Sequence, residues 1–184
     1  MKTGVIACAV ATVSSAALAQ AYQRIDSGVI VTPAHAPAVR LQVYDEGIIR
    51  VTQAPAPEFN LPASLMVRAK PVAAGFTISE APGAVLLKTG SSSAVVDRNS
   101  GTVRLNDASG RNLLSESAPP AFAPTSAEGV PWLAISQQFN RGTDEGFYGL
   151  GQHQNGQMNY NGEDVVLAQH NMDVAVPFVV STRN

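Results

Sequence analysis

Val39-Arg40-Leu41-Gln42-Val43 alternates apolar and polar side chains, and no stretch after residue 21 keeps a helical apolar repeat for long. Successive side chains on a strand point to opposite faces, so this alternation suits a strand buried on one side. A chain without an apolar helical stripe has no helix to pack on a core. It has to build its core from paired strands.

The rest of the chain reads the same way. Tyr22–Thr32 is read as one strand, broken by Pro33 to Pro37. Val39–Val43 turns through Asp45-Glu46-Gly47 into Ile48–Thr52, a hairpin whose glycine is expected in the left-handed conformation. Prolines 55, 57 and 62 interrupt, because proline cannot donate to a ladder. Strands are expected to resume at Ser64–Ala69, Phe76–Ser79 and Ala84–Lys88, then to form a second hairpin from Ala94–Asp97 and Thr102–Leu105 around Asn99-Ser100-Gly101. Asn112–Leu114 begins another strand, and Ala118–Gly129, rich in proline, is read as a loop. Trp132–Phe139, Phe147–Gly151 and Val174–Val180 complete the set. Turn signals at intervals of about 8–12 residues favour an all-β antiparallel β-sandwich or barrel.

Met1–Ala21 is read as a secretory signal peptide: Lys2, a small-residue apolar run, and A-x-A sites ending at Ala19 and Ala21. Export to the periplasm or medium is expected, with no membrane association after cleavage. Residues 22–184 then form one β-sandwich domain. Cys8 lies in the leader, so the mature chain has no cysteine and relies on its apolar core. The charged share is 14% and the net charge is −2, and no basic run exists to follow a phosphate backbone, which excludes a nucleic-acid partner.

The chemistry-bearing residues are sparse. Six of the fourteen acids come as neighbours, Asp45-Glu46, Asp144-Glu145 and Glu163-Asp164, and read as solvated turn residues rather than a facing catalytic pair. His35, His153 and His170 are widely separated, so no metal and no cofactor is expected. There is no Gly-x-Ser-x-Gly elbow and no phosphate loop. Trp132, Tyr148 and Phe178 read as core aromatics, and Tyr160 as a surface ring in a loop dense in Gln, Asn, Gly and His. That loop, held between Phe147–Gly151 and Val174–Val180, is the stretch whose composition suits a sugar-facing rim. An ordinary polar surface loop has the same composition.

Four segments resemble, in order and spacing, landmarks of the N-terminal domain of glycoside hydrolase family 31. They are Val39–Thr52 (VRLQVYDEGIIRVT), the hairpin Val95–Leu114, Phe147–His153 (FYGLGQH) and Val174–Thr182 (VAVPFVVST). Gln152, with Gln154-Asn155-Gly156 and Met158-Asn159-Tyr160, is most similar to the bacterial α-xylosidase branch; many α-glucosidases carry Glu at the position of Gln152. The resemblance implies a galactose mutarotase-like sandwich and an oligosaccharide substrate, derived from xyloglucan or another α-glycoside. It also implies a catalytic (β/α)₈ barrel that follows the domain and carries both catalytic aspartates. None has a counterpart in this chain, which is therefore expected to be truncated or a fragment, and inactive alone. By position, the loop that leans over the sugar pocket matches Ala168–Met172, which makes Gln169, His170 and Asn171 the substrate-binding candidates. Their amide and imidazole groups bond hydroxyls without a charge cost, and serve equally to hold the loop's own backbone. His153, directly after a strand, reads as structural. Two other readings remain: a stand-alone carbohydrate-binding module, and a sugar mutarotase that pairs His170 with Glu163 or Asp164.

Overall fold

The computed structural model describes residues 22–183, apart from 60, 61 and 63. The leader expected at residues 1–21 lies outside them. Among the described residues there are twelve strands and no helix. They are β1 (Tyr22–Ile25), β2 (Gly28–Val31), β3 (Ala38–Asp45), β4 (Ile48–Ala54), β5 (Thr77–Ala81), β6 (Ala84–Lys88), β7 (Ser92–Asp97), β8 (Val103–Asp107), β9 (Asn112–Ala127), β10 (Val130–Phe139), β11 (Phe147–Gln152) and β12 (Val174–Ser181). One sheet has the order β1-β2-β3-β4 and a second the order β10-β9-β8-β7-β6-β5; β11 and β12 form a separate ribbon. Every pairing is antiparallel.

The core lies between the first two sheets and follows from the alternation. On β3, Val39, Leu41 and Val43 are buried while Arg40, Gln42 and Tyr44 face outward. Val29 and Val31 of β2 join them, and Val85, Leu87, Ala94 and Val96 of β6 and β7 close the core from the other sheet. A fully buried Leu or Val contributes about 1.5–3 kcal/mol relative to exposure, so this cluster outweighs any surface contact in the molecule. Glu116 of β9 ties the sheets at one end. Its carboxylate accepts from the Val103 backbone N–H at 2.8 Å and from Gln53 Nε2 of β4 at 3.3 Å. Burial pushes the Glu116 carboxyl up, against those two hydrogen bonds.

The second hairpin turns as its sequence predicts. Asp97 Oδ1 accepts from the Asn99 and Ser100 N–H groups at 2.9 and 2.7 Å, which holds the Asp97 carboxyl below its usual range, and Gly101 takes φ 72°.

Five expectations are corrected. Tyr22–Thr32 is a hairpin, not one strand: β2 starts at Gly28, whose backbone lies so near Leu41 that a Cβ would sit 2.0 Å from its carbonyl oxygen. Gly47 does not take a positive φ, and a register shift between Val43 and Asp45 absorbs the extra residue instead. Ser64–Ala69 is not a strand. Ser64 Oγ accepts from the Met66 and Val67 N–H groups at 3.2 and 3.0 Å, a local turn that competes with any ladder.

Ala118–Gly129 is no loop, since β9 runs on to Ala127. Its prolines are tolerated because β8 pairs with β9 only as far as Ser115, which leaves one edge of β9 open beyond it. Pro119 and Pro120 fall where the β9–β10 register shifts, between the pairs Ala118↔Gln138 and Ala121↔Ser136. Finally, Trp132, Tyr148 and Phe178 are not core. They stand on the β9–β10 and β11–β12 ribbons, with Trp132 59% and Phe178 62% exposed. No third layer of the described residues covers those ribbons.

Candidate functional site

The β11–β12 ribbon is bent by its glycines. Gly149, Leu150 and Gly151 all take positive φ, 119°, 62° and 104°, where the pairing shifts between Gly149↔Val179 and Gly151↔Ala175. A Cβ on Gly151 would lie 1.8 Å from the Val174 carbonyl oxygen, and one on Gly149 2.5 Å from that of Phe178. Only glycine fits at both places. The bulge aims the Leu150 carbonyl at His153, whose Nε2–H donates to it at 2.9 Å. The His153 side chain is 6% exposed, so it plugs the bulge.

The loop that leaves β11 is fastened at its base by a polar knot. The Phe147 N–H donates to Asn159 Oδ1 at 3.0 Å, and the Tyr160 N–H donates to the Phe147 carbonyl at 2.9 Å. Asn161 Nδ2 donates to the carbonyls of Gly142, at 3.1 Å, and Glu145. The buried Glu145 carboxylate accepts from the Gly142 N–H at 2.8 Å and from the Ser181 hydroxyl, with Arg183 Nε 3.5 Å away. Those contacts, the Gly142 N–H first, hold the Glu145 carboxyl below the usual range. A concavity of about 520 Å³ opens beside the knot, but the polar groups of Asn159, Asn161 and Glu145 on its wall are engaged with one another and with the backbone.

Beyond the knot the loop closes on a cleft of about 300 Å³, lined by His153, Gln154, Asn155, Asp164, Val165, Val166, His170, Met172 and Asp173. Asp173 is its centre. Its Oδ2 takes the His170 Nε2 at 2.8 Å and faces His153 Nδ1 at 3.9 Å, while Oδ1 accepts from the Gln154 N–H at 3.3 Å. His170 remains half open to solvent, so an imidazole oriented by a carboxylate stands at the mouth of a small polar cleft. Such a pair can donate to, or accept from, a hydroxyl of a bound molecule.

The three residues singled out in the sequence do not act alike. His170 lines the cleft. Gln169 instead accepts the Ala175 N–H at 3.1 Å through Oε1, pinning the start of β12. Asn171 is exposed and lies outside the cleft lining. The carboxylate bonded to His170 is Asp173; Asp164 lines the same cleft, and Glu163 does not. Sequence reasoning passed over Asp173. The His-x-x-Asp spacing was its only signal, and a turn that brings i and i+3 together makes that spacing a contact. Among the described residues no three of His, Cys, Asp and Glu are arranged to hold a metal ion.

The fold is thus an antiparallel β-sandwich with a bulged ribbon that carries a small polar cleft. Residues 38–184 match the glycosyl hydrolase 31 N-terminal galactose mutarotase-like domain, and the chain belongs to that family. It is similar to the α-xylosidase of Xanthomonas citri at 43% identity and a TM-score of 0.83, over 88% of this chain and 18% of that one. A soil-metagenome α-xylosidase, solved with xylose, is 24% identical with a TM-score of 0.73, over 88% of this chain and 26% of that one. A Flavobacterium johnsoniae dextranase, solved with glucose, is 20% identical with a TM-score of 0.67, over 89% and 21%. These two share the fold. The chain thus spans between 18% and 26% of the length of these relatives.

Proposed function

We propose that this chain is the substrate-rim domain of an exported α-glycosidase, an α-xylosidase acting on xyloglucan-derived oligosaccharides. The observation that carries this reading is the 43% identity to an α-xylosidase over 88% of the chain. The catalytic carboxylates lie on a (β/α)₈ barrel of the same enzyme, and the sandwich supplies sugar contacts from one side. His170 and Asp173 supply the contact: the Asp173 carboxylate, itself mostly covered, orients the His170 imidazole, which is half exposed at the cleft mouth. The exposed apolar ribbon faces, with Trp132, Ile135 and Phe178, suit packing against such a barrel. The leader pattern of residues 1–21 supports export.

The reading expects no hydrolysis by this chain alone, because retaining or inverting hydrolysis needs two carboxyl groups on opposite sides of one bond. Purified residues 22–184 incubated with a xyloglucan heptasaccharide should release no xylose. Release above the blank overturns the assignment of chemistry to the barrel.

A stand-alone carbohydrate-binding module is the second reading, and the exposure of Trp132 favours it. Calorimetry separates the two. A module binds the heptasaccharide tightly by itself and loses binding in Trp132→Ala, whereas a rim domain owes its sugar contacts to the His170–Asp173 cleft.

A further inference from the structure

The outward face of β3 and β4 carries two arginines that form no ion pair among the described residues. Arg40 lies opposite Thr52 and Gln42 opposite Arg50, so the two guanidinium groups are diagonal neighbours on one face. Phe59, Ser64, Val67 and Pro71 lie over that face, and the Val72 N–H ties their segment to it by donating to the Val43 carbonyl at 2.8 Å. The Phe59 ring lies 4.7 Å from Arg40 Cζ. Between face and cover is a cleft of about 300 Å³, whose walls include Arg40, Tyr44, Arg50, Phe59, Ser64 and Pro71.

Three observations point to an anion there. Among the described residues Arg40 Nε, in the cleft wall, and Thr52 Oγ1, paired opposite it on β4, are buried with no hydrogen-bond partner, a costly arrangement that native structures seldom keep without a reason. Burial, and then the charge of Arg50, hold Arg40 below the usual arginine range, so the pair repels itself across the cleft. The cover adds Arg68 and Lys70, against Glu58 as the one acid between Glu46 and Glu80. In a chain of net charge −2 this is a local excess of positive charge. Arg50 Nη1 spends one donor on the Tyr44 hydroxyl at 3.3 Å, which fixes its plane and leaves the rest of its fork.

We propose that this cleft binds a monosaccharide-sized organic anion, a sugar bearing a carboxylate or a phosphate, through Arg40 and Arg50. A guanidinium fork matches either oxyanion, and two of them make the contact charge-assisted twice over. Phe59 and Pro71 offer flat apolar walls to the C–H face of a sugar ring. The volume stands at the lower end of small-molecule sites, about 300 Å³, which suits one ring rather than a chain. No residue lines both this cleft and the one around Asp173. The proposal therefore stands or falls apart from the α-xylosidase reading.

Calorimetry on the 184-residue chain at low salt, with glucuronate, glucose 6-phosphate, glucose and inorganic phosphate, tests it. Saturable binding of at least one sugar anion is expected, weakened about tenfold or more by Arg50→Gln, the loss of a charged hydrogen bond. Arg50→Lys keeps the charge without the fork and should weaken binding less; it also provides a reading if Arg50→Gln does not fold by circular dichroism. Binding of glucuronate alone names the carboxylate as the ligand group, and of glucose 6-phosphate alone the phosphate. Four results overturn the proposal: no sugar anion binds, glucose binds as tightly as the anions, inorganic phosphate binds as tightly as glucose 6-phosphate, or both Arg50 variants bind unchanged.

Discussion

Gly151→Ala should unfasten the candidate site while leaving the sandwich intact. The added Cβ would stand 1.8 Å from the Val174 carbonyl oxygen and 2.9 Å from Val176 N, all backbone, so no side chain can swing away to make room. The residue would also have to hold φ 104°, where an L side chain is strained by about 1–3 kcal/mol. Relief requires β11 and β12 to part at Gly151↔Ala175 and Gln152↔Val174, at about 0.5–1.5 kcal/mol for each hydrogen bond lost. The sum is roughly 4 kcal/mol against the ribbon, which corresponds to roughly a thousandfold faster amide exchange there. Native-state hydrogen exchange by NMR reads this directly. The amide of Ala175, held by Gln169 Oε1, should lose protection, and that of Leu41 in the core should keep it. Gly110→Ala is the control: its φ of 88° has the same sign, but no atom lies within 4 Å of its Cβ, so it carries the conformational cost without the clash. Equal exchange at Ala175 in wild type and Gly151→Ala would refute the claim that the close approach shapes the ribbon. An equal loss at Leu41 would refute its independence from the core.

Other outcomes follow from the core and from the carboxylates of buried Glu145 and half-buried Glu116. Leu41→Ala, in the centre of the valine-rich core, should cost about 2–5 kcal/mol in urea unfolding. Glu145 has a depressed pKa when folded, so its stabilisation is present above the ordinary glutamate value of about 4.3 and is lost as the pH falls through the folded one. Glu145→Gln should therefore be less stable than wild type near neutral pH, and the gap should close in acid; a gap independent of pH contradicts the ionic knot. Glu116 has the opposite sign. Its raised folded pKa means that ionisation costs stability as the pH rises through it, so the deficit of wild type against Glu116→Gln should appear near neutral pH and vanish below about pH 4.3. Thermal unfolding of both proteins across that range checks the sign.

The sandwich was legible because its signal is local. Val39, Leu41 and Val43 alternate with polar neighbours, and Asp97 to Gly101 spell a turn whose hydrogen bonds depend only on adjacent residues. β9 was hidden because Pro119, Pro120 and Pro124 in one stretch read as breakers, whereas proline matters only where a ladder needs the missing N–H. Beyond Ser115 one edge of β9 needs none. The exposure of Trp132 and Phe178 was equally invisible, since an apolar run looks the same whether or not a layer covers it. In the loop, Gln169, His170 and Asn171 are candidates together because the family resemblance places their whole segment over the sugar pocket. Their separate roles depend on where the chain turns: Gln169 back to β12, and His170 onto Asp173. Asp173 was overlooked because one acid at a strand entrance carries no periodic signal at all.

The central claim is that this sandwich serves an α-xylosidase by presenting His170 and Asp173 to the sugar. A chimera tests it most directly. Residues 38–184 of this chain replace the corresponding segment of the Xanthomonas citri α-xylosidase, and xylose release from a xyloglucan heptasaccharide is followed. The account predicts an active chimera whose KM rises on Asp173→Asn by about fivefold or more, the loss of one hydrogen bond to sugar and its partner's orientation. A folded chimera without activity, or an active one whose KM and kcat ignore Asp173→Asn, would contradict it.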